Sequence, residues 1–354
     1  MRVLALTRYS SLGPSSRVRF YQYVPSLTSY GMEVQVAPLL GNDYVRNLYG
    51  GKRQPVFSVL RAYISRIAYL LNSGHFDLLW IEKELLPWLP TRFESLFLRR
   101  GIPCVVDYDD AVFHRYDQHH NRLIRAFLGK KIDMIMRQAT TVVVGNEYLA
   151  ERAGHSGARK IERLPSVVDI NRYTVKEKTG EQFRIGWIGS PVTAPYLGLI
   201  KDALEEVTKQ TGARLVLVGA GDQDPLPGVA KDVLTWSEDS EVAQIQSFDV
   251  GIMPLPDGPF EQGKCGYKLI QYMACGLPVV ASPVGVNTHI VEQGTTGFWA
   301  TSTADWVEAL IMLSKDTGMR TALGNAGRKM VEQEYSLQVT APHLYEILTE
   351  ATSR

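Results

Sequence analysis

The stretch Gly263-Lys-Cys-Gly-Tyr-Lys-Leu-Ile-Gln-Tyr-Met-Ala-Cys-Gly-Leu-Pro-Val-Val-Ala-Ser-Pro-Val-Gly285 decides the architecture. A glycine-containing loop opens a helix over about residues 267–274, Gly276 ends it, and Pro278 prevents its continuation. The apolar run that follows has no polar alternation, which marks a strand buried on both faces. The same rhythm extends outward. Strands are expected at 183–188, 215–218, 233–236, 250–253 and 278–281, with helices at 196–211, 242–247, 268–274, 305–314 and 317–334. Toward the N-terminus, strands at 3–6, 34–38, 78–81, 104–107 and 141–144 alternate with helices at 18–30, 56–72, 91–100 and 121–138. Strands separated by helices of this length predict parallel sheets covered on both sides, here two successive doubly wound α/β units. Residues 1–170 form the first domain and 171–335 the second. A last helix in 336–354 is expected to return toward the first. The polar stretch 171–182, with the charged run 176–181, reads as a linker.

With 354 residues, 45% of them hydrophobic and 21% charged, the chain is ordinary globular material of two-domain size. It contains no uninterrupted apolar run of about 18–20 residues, as a spanning helix needs. The start MRVLALTRYSS enters a strand directly and lacks a signal peptide's apolar core. Cys104, Cys265 and Cys275 have no metal-ligand spacing and read as free thiols in a reducing cytoplasm. The net charge of +1 hides an asymmetry: residues 1–170 hold 23 Lys and Arg against 15 Asp and Glu. Such a basic half suits either an anionic membrane or a phosphate-bearing acceptor, or simply carries solvated side chains.

Several positions carry chemistry. Free amides at the start of the 267–274 helix, with Lys264 and Lys268 beside them, form a natural cradle for a diphosphate, in which Cys265, Gly266 and Tyr267 would line the approach. Gln271 lies one turn further in, within reach of a ribose hydroxyl. Gly189 and Ser190 end one strand and Gly219 another, allowing backbone to approach a phosphate. Trp236 sits against a nucleobase or merely packs. In the first half, Asp107-Tyr-Asp-Asp-Ala-Val-Phe-His114 follows a β-branched strand. Three carboxylates so close need a cation, base or hydroxyl to meet them. Asp109 and Asp110 then bind or deprotonate an acceptor hydroxyl, hold a metal, or cap a helix, and His114 orients the acceptor. Arg17 and Arg19 follow the loop after the first strand, where a guanidinium neutralises phosphate. Asn146 touches ligand or caps the next helix. The apolar, Arg-containing run 56–71 is either a core helix or one lying on a membrane.

The segment Gln271–Ala281, QYMACGLPVVA, resembles the retaining GT-B glycosyltransferases of family 4. Arg184–Leu197 is similar to that family's first C-terminal strand and glycine turn, and Leu164–Tyr173 to its interdomain entry. The resemblance covers most of the chain and is sharpest in the C-terminal half. It departs twice: Gly263 stands where the family has its first Glu, and Gln271 where it has the second, which holds the donor ribose. The resemblance implies a GT-B fold, two Rossmann-like domains facing each other across a cleft. It implies a metal-independent enzyme of the EC 2.4 class that retains anomeric configuration. Its donor is a nucleoside diphosphate sugar, UDP favoured over GDP, and it has no separate cofactor. A glycan or lipid-linked hydroxyl is the acceptor, in bacterial surface polysaccharide or glycoconjugate synthesis. The setting is the cytoplasm or the inner face of the cell membrane, and nucleic acid is not a partner. Two rivals remain at this level, a GT-B sugar-nucleotide epimerase and a sugar-nucleotide-binding protein without turnover. A dehydrogenase lacks its glycine fingerprint after the first strand.

Overall fold

A computed structural model describes residues 1–176 and 182–353. The charged run of the expected linker, beyond Lys176, lies outside the described residues. The chain divides into two compact units: residues 1–166, 262–265 and 340–354, and residues 167–261 and 266–339.

Each unit holds a six-stranded parallel sheet. The first comprises β1 (Arg2–Leu6), β2 (Glu33–Val36), β3 (Leu78–Glu82), β4 (Cys104–Tyr108), β5 (Thr141–Val144) and β6 (Ile161–Arg163), in the order β2-β1-β3-β4-β5-β6. The second comprises β7 (Arg184–Ile188), β8 (Arg214–Val218), β9 (Lys231–Leu234), β10 (Val250–Met253), β11 (Val279–Ala281) and β12 (Gly297–Trp299), in the order β12-β11-β10-β7-β8-β9. Central strands β3, β4 and β5 are buried at every position, whereas edge strand β2 alternates half-buried and exposed residues. That contrast is what helices on both faces produce.

In the second unit the strand period of two sorts side chains into two cores. Ile185 and Trp187 of β7 and Leu215 and Leu217 of β8 join Trp306 and Leu310 on one face. Ile188, Val216 and Val218 join Tyr272 and Met273 on the other.

The segment that opened the reading folds as expected. Its helix is Tyr267–Ala274, and Gly276 adopts φ +72° beyond the cap. The Gly276 and Leu277 amides donate back to the Met273 and Tyr272 carbonyls, closing the helix end. Helix Thr317–Glu334 crosses that end at Gly324, where a Cβ would lie 2.0 Å from the Gly276 carbonyl oxygen. Alanine raises helix propensity by up to about 1 kcal/mol, but here the clash is with backbone and cannot relax cheaply. Gly324→Ala is therefore expected to lower stability by about 1–3 kcal/mol, read as a shift of the urea midpoint.

Some elements differ from expectation. The helix expected at 18–30 is broken into Pro14–Arg19, a 3-10 turn Tyr21–Tyr23 and Val24–Ser29, because Pro25 suits the first turn of a new helix rather than the interior of an old one. The helix expected at 121–138 divides at Gly129 into Arg122–Leu128 and Lys131–Gln138. The strand expected at 233–236 is β9, two residues earlier, which leaves Trp236 beyond the paired register. Three-residue strands β6 and β12 are too short for periodicity to reveal.

Candidate functional site

Parallel α/β sheets bind ligands beyond the carboxyl ends of their strands, where the strand order reverses. In the second unit that reversal lies between β7 and β10, since β8 and β9 continue on one side and β11 and β12 on the other. Gly189 and Ser190 follow β7 directly. The chain leaving β10 leads to Gly266 and helix Tyr267–Ala274.

Gly266 has φ +63°, and a Cβ there would lie 2.3 Å from Ile290 Cδ1, so both conformation and space require glycine. No side chain caps this helix. Its first bonds are Leu269 and Ile270 N–H to the Gly266 carbonyl. The amides of Tyr267 and Lys268 stand in the first turn of this helix, where N–H groups and the helix dipole favour an anion.

Lys268 extends toward β7: its Cε lies 2.9 Å from the position a Cβ on Gly189 would take, and its Nζ lies 5.5 Å from the Trp187 ring centre. Gly219, φ +74°, ends β8, and a Cβ there would meet the Gly189 carbonyl at 2.5 Å and Trp236 at 3.1 Å. Gly189, Gly219, Trp236 and Lys268 are therefore brought together at the ends of β7, β8 and β9.

Gln271 is placed differently from the open amide that its spacing suggested. It is buried, and its Nε2 donates to the Tyr173 hydroxyl at 2.9 Å. The Tyr173 hydroxyl donates in turn to buried Glu241, which also accepts from Trp236 Nε1 at 2.8 Å. Burial, with Tyr267 and Glu241 nearby, holds the Tyr173 phenol well above its usual range, so it stays a donor. Gln271 thus braces the Trp236 platform through Tyr173 and Glu241. Glu261, near the missing first Glu, accepts from the Tyr196 hydroxyl.

The remaining candidates belong to the first unit, whose strand order reverses between β1 and β3. Lys264 and Cys265, expected among the donor-binding residues of the second domain, cluster here instead. The Lys264 ammonium lies 3.9 Å from Asp110, and Cys265 Sγ donates to the Asp109 carbonyl at 3.2 Å. Cys265 is buried, and burial pushes its thiol up. Gly263 lies against Ala111, with 2.5 Å between a built Cβ and the Ala111 Cβ, so no side chain fits at this position.

Of the cation, base or hydroxyl expected to meet the Asp107–Asp110 cluster, the structure supplies a cation, from a residue that spacing did not reveal. Buried Lys83, at φ +64° just past β3, contacts Asp109 at 2.7 Å and Asp110 at 3.6 Å. Burial works against both charges. The Lys83 ammonium and the Ser15 hydroxyl outweigh it at Asp109, holding that carboxyl below its usual range.

Asp107 does not face ligand: Arg19 grips it through two bonds of 2.8 and 2.9 Å. Arg19 also donates to the Leu164 and Pro165 carbonyls, so the structure places it in a buried pair rather than on a phosphate. Arg17 is buried on the same helix.

His114 is held at both ring nitrogens, by Asp117 at 2.8 Å and the Tyr148 hydroxyl at 2.7 Å. Asn146 caps helix Glu147–His155 by accepting from Leu149 N–H, while its amide donates to the Lys264 carbonyl at 2.9 Å. Among the described residues no three His, Cys, Asp or Glu side chains converge as a metal site.

With this geometry in view, residues 182–316 match one family model. It is that of the glycosyl transferases group 1. Two solved structures share the fold along nearly the whole chain. A sucrose-phosphate synthase from Thermosynechococcus elongatus superposes with a TM-score of 0.75 at 14% identity, over 100% of this chain and 99% of that one. HepE from Anabaena, in complex with UDP-glucose, gives 0.73 at 16%, over 99% and 100%. The fold is GT-B, two Rossmann-like domains.

Among curated proteins, a GDP-mannose-dependent monoacylated alpha-(1-6)-phosphatidylinositol monomannoside mannosyltransferase of Corynebacterium glutamicum is 29% identical over 53% of this chain and 55% of its own length. A D-inositol 3-phosphate glycosyltransferase of Actinosynnema mirum is 28% identical over 47% and 46%. The chain spans about half the length of the curated relatives it matches.

Proposed function

We propose that the protein is a retaining glycosyltransferase of family 4, transferring a sugar from a nucleoside diphosphate sugar to a hydroxyl of a glycan or lipid-linked acceptor. UDP is the first choice of nucleotide. GDP is the second, favoured by the name of the Corynebacterium relative. The setting is surface polysaccharide or glycoconjugate synthesis at the inner face of a bacterial membrane, with neither metal nor separate cofactor.

One observation carries this reading: Gly189, Gly219, Lys268 and an uncapped helix start converge where the second sheet reverses its order. The amides of Tyr267 and Lys268 take the diphosphate, and the Lys268 ammonium stabilises the charge that grows on it as the glycosidic bond breaks. Trp236, fixed by Glu241, presents a face for the base. The acceptor oxygen forms its bond to the anomeric carbon on the face the diphosphate leaves, and the departing phosphate oxygen takes the acceptor proton. Asp109, kept ionised by Lys83, accepts a hydrogen bond from a second hydroxyl of the acceptor and so orients the attacking one. Asp110 shares that task, and His114 shapes its surroundings.

The test is a thermal-shift panel of UDP-, GDP-, ADP- and dTDP-sugars without added metal. A ligand at 100 times its Kd adds about 2.7 kcal/mol to the native state, a rise of about 3–4 °C for a protein of this size. UDP-sugars are expected to give that rise. A GDP-only shift moves the assignment to the second nucleotide. No shift at millimolar concentration with any of the four sinks the reading. Consumption of donor without any acceptor present would mark an epimerase or hydrolase instead.

A further inference from the structure

The helices Val56–Leu71, Thr91–Leu98 and Lys131–Gln138 connect β2 to β3, β3 to β4 and β4 to β5, all progressing in one direction across the first sheet. Right-handed crossovers place all three on the same face of that sheet. Side chains confirm that they are neighbours. The Tyr63 hydroxyl and the Leu70 carbonyl of the first bond Pro87 and Arg100, which flank the second, and Lys131 of the third pairs with Glu94 of the second at 2.7 Å.

Their outer surface is apolar where a solvated face would be polar. On the first helix Phe57, Leu60, Ile64 and Leu71 are spaced by three, four and seven residues, and Phe57 is 87% exposed. Phe93 and Leu96 continue the patch on the second helix. An exposed row of this extent marks a docking surface.

The charge along the first two helices has one sign. Residues 44–76 contain five Lys and Arg and no Asp or Glu, and in residues 85–106 the sole carboxylate is the buried Glu94. Beside the patch a cavity of about 870 Å³ opens between the second and third helices. Its lining includes Arg99, Arg137 and Arg159 over Leu98, Pro103 and Met134, and contains no carboxylate. A two-fold contact with a second copy would set these arginines against one another with no acid to receive them. An anionic lipid surface meets both the apolar rows and the charge.

We propose that the first unit docks on an anionic phospholipid bilayer through the outer face of these three helices, with Phe57, Leu60 and Ile64 entering the acyl boundary and the three-arginine cavity receiving a lipid phosphate. No helix among the described residues is long and apolar enough to cross a membrane, so the contact is interfacial. The inference deepens the membrane part of the proposed function. Its test reads binding alone, so it stands or falls separately from sugar transfer.

The full chain is sedimented with vesicles of phosphatidylcholine, and with vesicles of phosphatidylcholine mixed with phosphatidylglycerol. Binding to the mixed vesicles, weakened by salt, is expected. Phe57→Ser/Leu60→Ser/Ile64→Ser should reduce partitioning by about ten-fold or more with an unchanged melting temperature, since these side chains are exposed. Arg99→Gln/Arg137→Gln should remove the preference for phosphatidylglycerol. Protein that stays in the supernatant, a serine variant that binds as wild type, or an arginine variant that keeps the preference overturns the proposal. So does a dimer in solution that the serine substitutions dissociate.

Discussion

Lys268→Ala is expected to lower kcat for sugar transfer by about 10²–10³-fold, the usual cost of removing one preorganised charge from a developing oxyanion. Helix Tyr267–Ala274 begins with an uncapped turn, so its amides already favour an anion there, and Lys268 lies in that first turn. Its stem runs over Gly189, and its Nζ lies 5.5 Å from the Trp187 ring centre, a contact that helps to steady it. The charge on the diphosphate is larger in the transition state than in the bound donor, so the loss should fall mainly on kcat and less on KM. Lys268→Arg should recover only part of the rate, because a planar guanidinium on a longer stem does not place its charge at the same point. Because Lys268 is half-buried and outside both cores, the melting temperature of apo protein should move little. A fall in kcat of less than about five-fold would remove Lys268 from the diphosphate and leave the helix amides alone to hold it.

How far the sequence speaks depends on how local the cause is. Strand β5 and helix Thr317–Glu334 lie at the residues that periodicity and caps predict, because burial on both faces and an Asp316 cap are written in adjacent residues. The glycines of the donor side were equally legible, since a strand that ends in glycine announces a close approach whatever surrounds it. Relations across the sheet were not. The Asp107–Asp110 cluster signalled that a cation, base or hydroxyl must meet it, but Lys83 lies 24 residues earlier and is aimed by a left-handed backbone conformation. Its one sequence signal was the charged run Glu82-Lys-Glu84 following four apolar residues of β3, where water-facing polarity should not begin so abruptly. Glu84 proves to be buried with Lys131 at 2.8 Å, and Glu94 with the same lysine at 2.7 Å. Gln271 misled for the same reason. Its spacing predicts a reach toward ribose, yet Tyr173, 98 residues away, claims its amide.

The largest effect on stability is expected at Arg19. Its guanidinium and the Asp107 carboxylate are each 1% exposed, and Arg19 also binds the Leu164 and Pro165 carbonyls at 2.7 and 2.8 Å. Arg19→Leu leaves a buried carboxylate without its cation, and breaking one side of such a pair costs about 3–5 kcal/mol. The two carbonyls lose their donor as well, which sets the result toward the upper end. Replacing both partners, Arg19→Leu/Asp107→Leu, removes the stranded charge and should recover a large part of that loss, leaving the unsatisfied carbonyls as the residue. The pH dependence separates a stranded charge from lost packing. Burial already pushes the Asp107 carboxyl up against the pull of Arg19. Without Arg19 it rises further above its unfolded value near 4, so the folded state binds the extra proton. Stability of Arg19→Leu should therefore fall as pH rises from about 5 to 8 relative to wild type, and that slope should vanish in the double variant. Urea unfolding of wild type, Arg19→Leu, Asp107→Leu and the double variant at about pH 5 and about pH 8 measures this cycle. A deficit in Arg19→Leu that is independent of pH, or a double variant no more stable than the single, would assign Arg19 to packing and to the 164–165 carbonyls rather than to the charge of Asp107.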